Sequence, residues 1–319
     1  MRKVFITGAT GFVGYHLLRE MWERDVEVWA LCQRHSKGLA GIKRNGIHVV
    51  EGSLDEILQI PDICRERNFD AFYHLAWKGA SGLQRGDYSV QLDNVRWTCN
   101  CIEAAKRLQC KKIIIAGTIC EEQCDAILSQ SGFVGASYYL LAKKHAGELA
   151  KSMSRNLDIP LIWSRFYHPI GIFNKKEQII ANTIQRLLNK EELKFGPAGE
   201  LFDVIDVKDL AHAFYLTGAK ELIGDTYFIG SGNPKTLKDY LESAKDLIDS
   251  SAVMQYGAVK TANLPMKREW LDSSPFCAKT GFRPSITFSE SVRAMKAWME
   301  NEGQYDSEKW IFSRHGAAD

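Results

Sequence analysis

Lys3-Val4-Phe5-Ile6-Thr7-Gly8-Ala9-Thr10-Gly11-Phe12-Val13-Gly14 is the stretch that decides how the chain is read. Val4, Phe5 and Ile6 form a short apolar run of the kind a buried central strand carries. A glycine turn follows, then a helical pattern from Tyr15 onward. A helix that starts directly after a strand offers unpaired backbone N–H groups and the positive end of its dipole, which together attract an anion. Gly8 suits the tight turn, Gly11 the close approach of a pyrophosphate, and Gly14 the packing of helix on strand. The spacing is G-x-x-G-x-x-G rather than G-x-G-x-x-G. The strand before it and the helix after it still predict a dinucleotide site.

Composition sets outer limits. The chain has 319 residues, enough for one large α/β domain or two smaller lobes, and its 45% hydrophobic and 25% charged content is that of a globular protein. A formal net charge of +2 gives no field suited to nucleic acid or an acidic membrane. No apolar run reaches the roughly 20 residues of a membrane span. Met1-Arg2-Lys3 leads straight into the first strand, so no cleavable signal peptide is expected. The eight cysteines include no C-x-x-C and no zinc-finger spacing with His. Cys120 and Cys124 have no second pair to complete a metal site, so no metal is expected, and reduced thiols in the cytoplasm are the simpler reading.

Working outward from the glycine turn, apolar runs at 26–32, 48–52, 69–77, 111–116, 159–166 and 225–229 read as further strands. Between them lie helical patterns, one of them over 93–109 with Asn94, Val95, Cys101, Ile102, Ala105 and Leu108 at three-to-four spacing. Such alternation predicts an α/β fold with a Rossmann-type doubly wound parallel sheet. The C-terminal half is richer in helix and has Gly/Pro turns at 195–197 and 230–234, which suggests a smaller α/β substrate lobe. The expected division is 1–168 for the nucleotide-binding domain, with 205–231 returning to it, and 169–319 for the substrate lobe. A last helix over 289–300 carries Val292, Met295 and Trp298 as its apolar stripe, and 302–319 reads as a loose tail.

The second strand ends in Leu31-Cys32-Gln33-Arg34, where dinucleotide folds that bind NAD place an acid for the ribose 2′-hydroxyl. No carboxylate stands there. Arg34, with His35 and Lys37 beyond it, suits a 2′-phosphate instead, so NADP(H) is favoured over NAD(H).

Tyr139 and Lys143 form Y-x-x-x-K, and on a helix i and i+4 share a face. A phenol with an ordinary pKa near 10 needs help to exchange a proton at neutral pH, and an ammonium beside it provides that. Thr118 follows the fifth strand, in Ala116-Gly117-Thr118-Ile119-Cys120. The glycine turn, Thr118, Tyr139 and Lys143, in that order, resemble the extended short-chain dehydrogenase/reductase superfamily, which contains nucleotide-sugar epimerases, dehydratases and 4-ketoreductases. The resemblance runs along nearly the whole chain.

The resemblance implies that Tyr139 is the acid/base, that Lys143 is its electrostatic partner and a ribose ligand, and that Thr118 holds the substrate carbonyl oxygen. It implies cofactor contacts from Gly8, Thr10, Gly11, Phe12, Val13 and Gly14 in the turn. Further contacts would come from Arg34, from Leu75, Ala76 and Trp77 after the fourth strand, and from Asn94, Tyr167, Pro169 and Ile170. Ser53 and Leu54 occupy the place where members put an Asp for the adenine amine. His74, in a stretch similar to H-L-A-A, is implied to be structural, and Trp77 replaces a small residue there.

The triplet Thr118-Ile119-Cys120 lacks the two acids of the superfamily's Thr-Asp-Glu dehydratases, so water elimination is not expected. Cys120 matches the position of a cysteine in GDP-fucose synthases and is a substrate-site candidate, but the second base of those enzymes has no counterpart at 171–179. A buried small residue is the alternative role for Cys120. Arg165-Phe166-Tyr167-His168-Pro169-Ile170-Gly171 resembles R-x-F-N-P-x-G, with His168 in place of the Asn that contacts substrate diphosphate. Phe202 replaces the Arg of R-D-F-x-x-V-D-D-x-A, leaving Arg268 as the cation for a diphosphate, or else a surface Arg.

These features imply NADP(H)-dependent reduction of a nucleotide-activated 4-keto-6-deoxy sugar. A 4-epimerase with tightly held NAD, a reductase of a small carbonyl and a non-catalytic NADP-binding redox sensor are the rivals. A homodimer is expected through the helices at 93–109 and 139–153, with Leu140, Ala146 and Leu149 as the apolar face.

Overall fold

The computed structural model describes residues 1–34, 42, 44–129, 137–174, 177–222, 226–261 and 264–301. His35, Lys37, Asp225 and the 302–319 tail lie outside the described residues.

Seven parallel strands form the central sheet: β1 (Lys3–Thr7), β2 (Glu27–Cys32), β3 (Ile47–Glu51), β4 (Ala71–His74), β5 (Ile113–Thr118), β6 (Leu161–Phe166) and β7 (Thr226–Phe228). Their order across the sheet is β7-β6-β5-β4-β1-β2-β3, with every neighbouring pair parallel. The chain winds outward from β1 in one direction and returns on its other side at β4. The order therefore reverses between β1 and β4, and ligands bind in such folds beyond the strand ends at that point. β5 runs two residues further than expected, so Thr118 is its last residue.

Side chains alternate across the sheet with the period of a strand. Val4, Ile6, Ala71, Tyr73 and Ile114 face one layer, where Leu17, Leu18 and Met21 of α1 (Phe12–Trp22) meet Leu210 and Phe214 of a later helix. Phe5, Phe72, Ile113 and Ile115 face the other layer, with Cys101, Ile102 and Ala105 of α2 (Tyr88–Arg107) and Ala146 and Ala150 of α3 (Ser137–Asn156). α2 begins five residues before Asp93, because the Asp87 side chain accepts the N–H groups of Ser89 and Val90 and starts the helix there.

A separate apolar cluster joins α4 (Ile179–Leu188), α6 (Leu237–Ile248) and α7 (Phe288–Glu300), and Val292, Met295 and Trp298 are buried in it as their spacing suggests. Buried acids stitch this part to the sheet. Asp206 caps α5 (Val207–Ala219) through Lys208 N–H and accepts the Ser291 hydroxyl at 2.6 Å. Asp209 accepts Ser285 and Ile286 N–H, and Asp203 accepts the N–H and hydroxyl of Ser231. Asp203, Asp206 and Asp209, all in the 202–211 stretch that resembles R-D-F-x-x-V-D-D-x-A, are thus structural clasps.

The apolar face expected for pairing is corrected. Leu140 and Ala146 are buried within their own chain, Ala146 under the sheet and Leu140 beside Cys124 and Ile127. On α2 and α3 the exposed large apolar residues are Tyr88, Leu92, Tyr138 and Leu149.

Candidate active site

Gly8 follows β1 with φ +80°, and a Cβ there would stand 2.6 Å from the backbone nitrogen of Ala76. A Cβ on Gly14 would stand 2.0 Å from the Gly8 carbonyl oxygen. Only bare backbone fits between the β1 turn, the start of α1 and the chain leaving β4. Gly11 is the N-cap of α1, no side chain caps it, and the first turn carries no acid. Those N–H groups suit a pyrophosphate, so the residues present fit a dinucleotide.

On the far side of β4, Thr118 closes β5 and its hydroxyl accepts the N–H of Cys120 at 3.3 Å. Thr118 also begins a T-x-x-E capping box in which Glu121 returns to accept its backbone N–H at 2.8 Å. Glu121 is buried. Its carboxylate takes the Trp163 indole N–H at 3.0 Å and the Arg165 Nε–H at 2.9 Å. Burial pushes Glu121 up and Arg165 opposes this. Gly117 makes the room, since a Cβ there would lie 2.3 Å from Trp163 Nε1.

α3 brings Tyr139 and Lys143, both buried, up to Thr118. Lys143 Nζ donates to the Ala116 carbonyl at 2.7 Å and lies 3.6 Å from the centre of the Trp77 ring. Trp77 meets Tyr139 edge-on, with centroids 6.1 Å apart, and donates its own N–H to Gln91 at 2.9 Å. Burial pulls the Lys143 ammonium down, and the Glu121 carboxylate opposes it. Burial pushes the Tyr139 phenol up; Arg85 is the largest opposing influence, and Thr118 acts in the same direction as Arg85. Tyr139, Thr118 and Lys143 therefore form a dry group able to hold an oxygen and move one proton.

The sequence profile of the NAD dependent epimerase/dehydratase family matches residues 4–230. The chain belongs to that family. It is an enzyme of the extended short-chain dehydrogenase type. Among curated relatives, the CDP-abequose synthase of Salmonella muenchen is 26% identical over 315 residues, covering 94% of this chain and 98% of the relative. The dTDP-glucose 4,6-dehydratase of Haemophilus influenzae is 22% identical, covering 93% and 98%. In fold the chain is similar to a UDP-glucuronic acid 4-epimerase from Bacillus cereus, solved with a fluorinated sugar nucleotide and NAD (TM-score 0.78, 17% identity, 95% and 100% covered). It is likewise similar to WbmH of Bordetella bronchiseptica, solved with NAD+ (TM-score 0.76, 20% identity, 95% and 100% covered).

The other residues singled out in the sequence are placed as follows. Leu75 and Ala76 line the turn beside Gly8, while Trp77 packs against Lys143 and Tyr139. The Asn94 amide is fully engaged, holding the N–H and carbonyl of Lys78 and the carbonyl of Val90. His74 lies between the hydroxyls of Thr7 at 2.7 Å and Thr98 at 3.2 Å, with its pKa lowered to about 3 by burial and then by Lys143. Ser53 is committed to Glu56, which accepts both its N–H and its hydroxyl. Those Ser53 hydrogen bonds hold the Glu56 carboxyl down, and Arg34, exposed just beyond β2, acts in the same direction as a lesser influence. Tyr167 packs against Phe202 with ring centroids 4.7 Å apart and planes tilted by 38°, and Pro169 and Ile170 lie in a short strand paired with Val204–Asp206. His168 is half-buried at the start of that strand, its Nε2 enclosed and unpaired among the described residues and its pKa lowered to about 4 by desolvation and then by Arg85. Burial raises the Cys120 thiol to about 11. Arg268 is exposed in the short helix Arg268–Leu271 and is not drawn into the cluster.

Two residues of the site were not foreseen. Glu121 has a sequence signal, the T-x-x-E spacing from Thr118. Arg85 has none, since its position follows from how the 78–87 loop folds.

Proposed function

We propose that this enzyme reduces a nucleotide-activated 4-keto sugar, most simply a 6-deoxy one, with NADP(H) as cofactor. The observation that carries the reading is the junction of Thr118, Tyr139 and Lys143 beside the bare glycine cradle, with Ile119 and Cys120 where a dehydratase has acids. A reduced nicotinamide, when bound, supplies the hydride. Thr118 orients the carbonyl oxygen, and Tyr139 gives it a proton as charge develops. Lys143, one turn along α3 from Tyr139, would bias its proton and would become available to a ribose once it leaves the Ala116 carbonyl. Gly8, Gly11 and Gly14 admit the pyrophosphate, and Arg34 meets the 2′-phosphate.

Kinship with a CDP-abequose synthase and a dTDP-glucose dehydratase supports a sugar nucleotide as substrate. Residues 169–204 and 232–301 would form the substrate lobe, with His168 and Arg268 reaching the diphosphate and Cys120 lining the sugar site. A 4-epimerase is the second reading, favoured by folds such as the UDP-glucuronic acid 4-epimerase, and it uses the same three residues without net oxidation. A panel of nucleotide 4-keto sugars assayed for NADPH loss tests the proposal. Stoichiometric consumption supports it, and C4 inversion without consumption supports the epimerase.

A homodimer through α2 and α3 is part of the proposal, with Tyr88, Leu92, Tyr138 and Leu149 supplying the exposed apolar face. Light scattering at micromolar concentration should give twice the chain mass, and Leu92→Glu with Leu149→Glu should return the monomer.

A further inference from the structure

Arg85 sits on the short helical turn Leu83–Gly86 between β4 and α2. Gln91 fixes this loop, its amide nitrogen donating to the carbonyls of Gly79 (3.2 Å) and Gln84 (2.9 Å) while its oxygen takes the Trp77 indole. So held, the loop lays the Arg85 guanidinium over the Tyr139 ring, 4.5 Å from its centre. Among the described residues the buried Arg85 Nε–H has no hydrogen-bond partner, and the guanidinium enters no ion pair. A half-buried guanidinium with an enclosed, unpaired N–H gains most where the site develops negative charge.

The groups facing Tyr139 are Arg85 from this loop, Cys120 and Glu121 from the turn after β5, Thr118 from the strand end, and Lys143 one turn along α3. Tyr167 and His168 face Arg85 from beyond β6. Of the cations, Lys143 donates to a carbonyl, lies near the Glu121 carboxylate and is drawn toward its neutral form by burial. A guanidinium stays charged under all these conditions.

We propose that Arg85 is the positioning residue for proton transfer at this site, the cation that stabilises the Tyr139 phenolate. This rests on the reading of Tyr139 as acid/base. In reduction a hydride adds to the carbonyl carbon, the Tyr139 O–H proton passes to the carbonyl oxygen, and the negative charge left on the phenol lies against Arg85. In oxidation the same cation favours the phenolate that takes the proton back.

The test needs no substrate. A ring-fluorinated tyrosine, whose phenol is more acidic, is placed at position 139 of the full chain and its fluorine resonance followed against pH. Arg85→Gln and Arg85→Met, two neutral variants that guard against one failing to fold, should raise the midpoint by about one pH unit, a tenfold change in acidity. Arg85→Lys should recover most of it. An unchanged midpoint in a folded neutral variant overturns the proposal. Because the titration is independent of sugar and cofactor, a wrong substrate class would leave it intact, and a failed titration would leave the reductase reading standing.

Discussion

Glu121 accepts the backbone N–H of Thr118 at 2.8 Å with one carboxylate oxygen and the Nε–H of Arg165 at 2.9 Å with the other. A buried ion pair thus sets the backbone of the residue proposed to hold the reacting oxygen. Removing one member of such a pair leaves the other uncompensated, typically at a cost of about 3–5 kcal/mol. Arg165 keeps Glu122 as a second partner, so Glu121→Ala should fall at the lower end of that range. Urea unfolding measures it. Stability equal to wild type would mean that the pair does not hold the strand end.

Cofactor preference depends on the end of β2. Cys32 is no carboxylate, and Arg34 is exposed just beyond the strand, where it can meet a phosphate. NADPH should bind more tightly than NADH, and Arg34→Ala should bring the two within a few-fold of each other. Fluorescence titration with both cofactors decides. An NADH preference in the wild type would reject the assignment.

Acid should destabilise this fold early. His16 and His74 are buried with their pKa values lowered to about 3, in each case mainly by burial. Between that value and their unfolded pKa near 6.5 the unfolded chain binds more protons than the folded one, so stability falls as pH drops through this window. At pH 5 each group would cost up to about 2 kcal/mol, taking one pKa unit as 1.36 kcal/mol. Denaturant midpoints at pH 7.5 and 5 test this, and His74→Asn should reduce the difference. A pH-independent midpoint would contradict it.

Much of the fold was legible because its signals are local. The apolar runs of β1, β4 and β5 alternate between two buried layers, as Val4 and Ile6 against Phe5 show, and the glycine cradle sits where three glycines share one turn. Thr118, Tyr139 and Lys143 come together because strand end and helix face carry them there. The start of α2 was misjudged, since Asp87 rather than the first apolar repeat begins the helix. The outward face of α3 was misjudged because Leu140 and Ala146 share a helical pattern that serves the chain's own core. Arg85 was invisible for a different reason. A residue in a loop acquires its neighbours only when that loop is folded, here by Gln91 and Asn94.

The central claim is that Tyr139 supplies the proton that accompanies hydride transfer to a sugar carbonyl. Tyr139→Phe keeps the ring that packs against Trp77 and removes only the hydroxyl. The direct measurement is NADPH oxidation with a nucleotide 4-keto sugar, run beside NADPH binding, for wild type and Tyr139→Phe. The expected result is unchanged binding with turnover lower by about 10²–10⁴-fold, the usual worth of a positioned acid. Near wild-type turnover in Tyr139→Phe would contradict it and move the search for the acid to His74, His168 or Cys120.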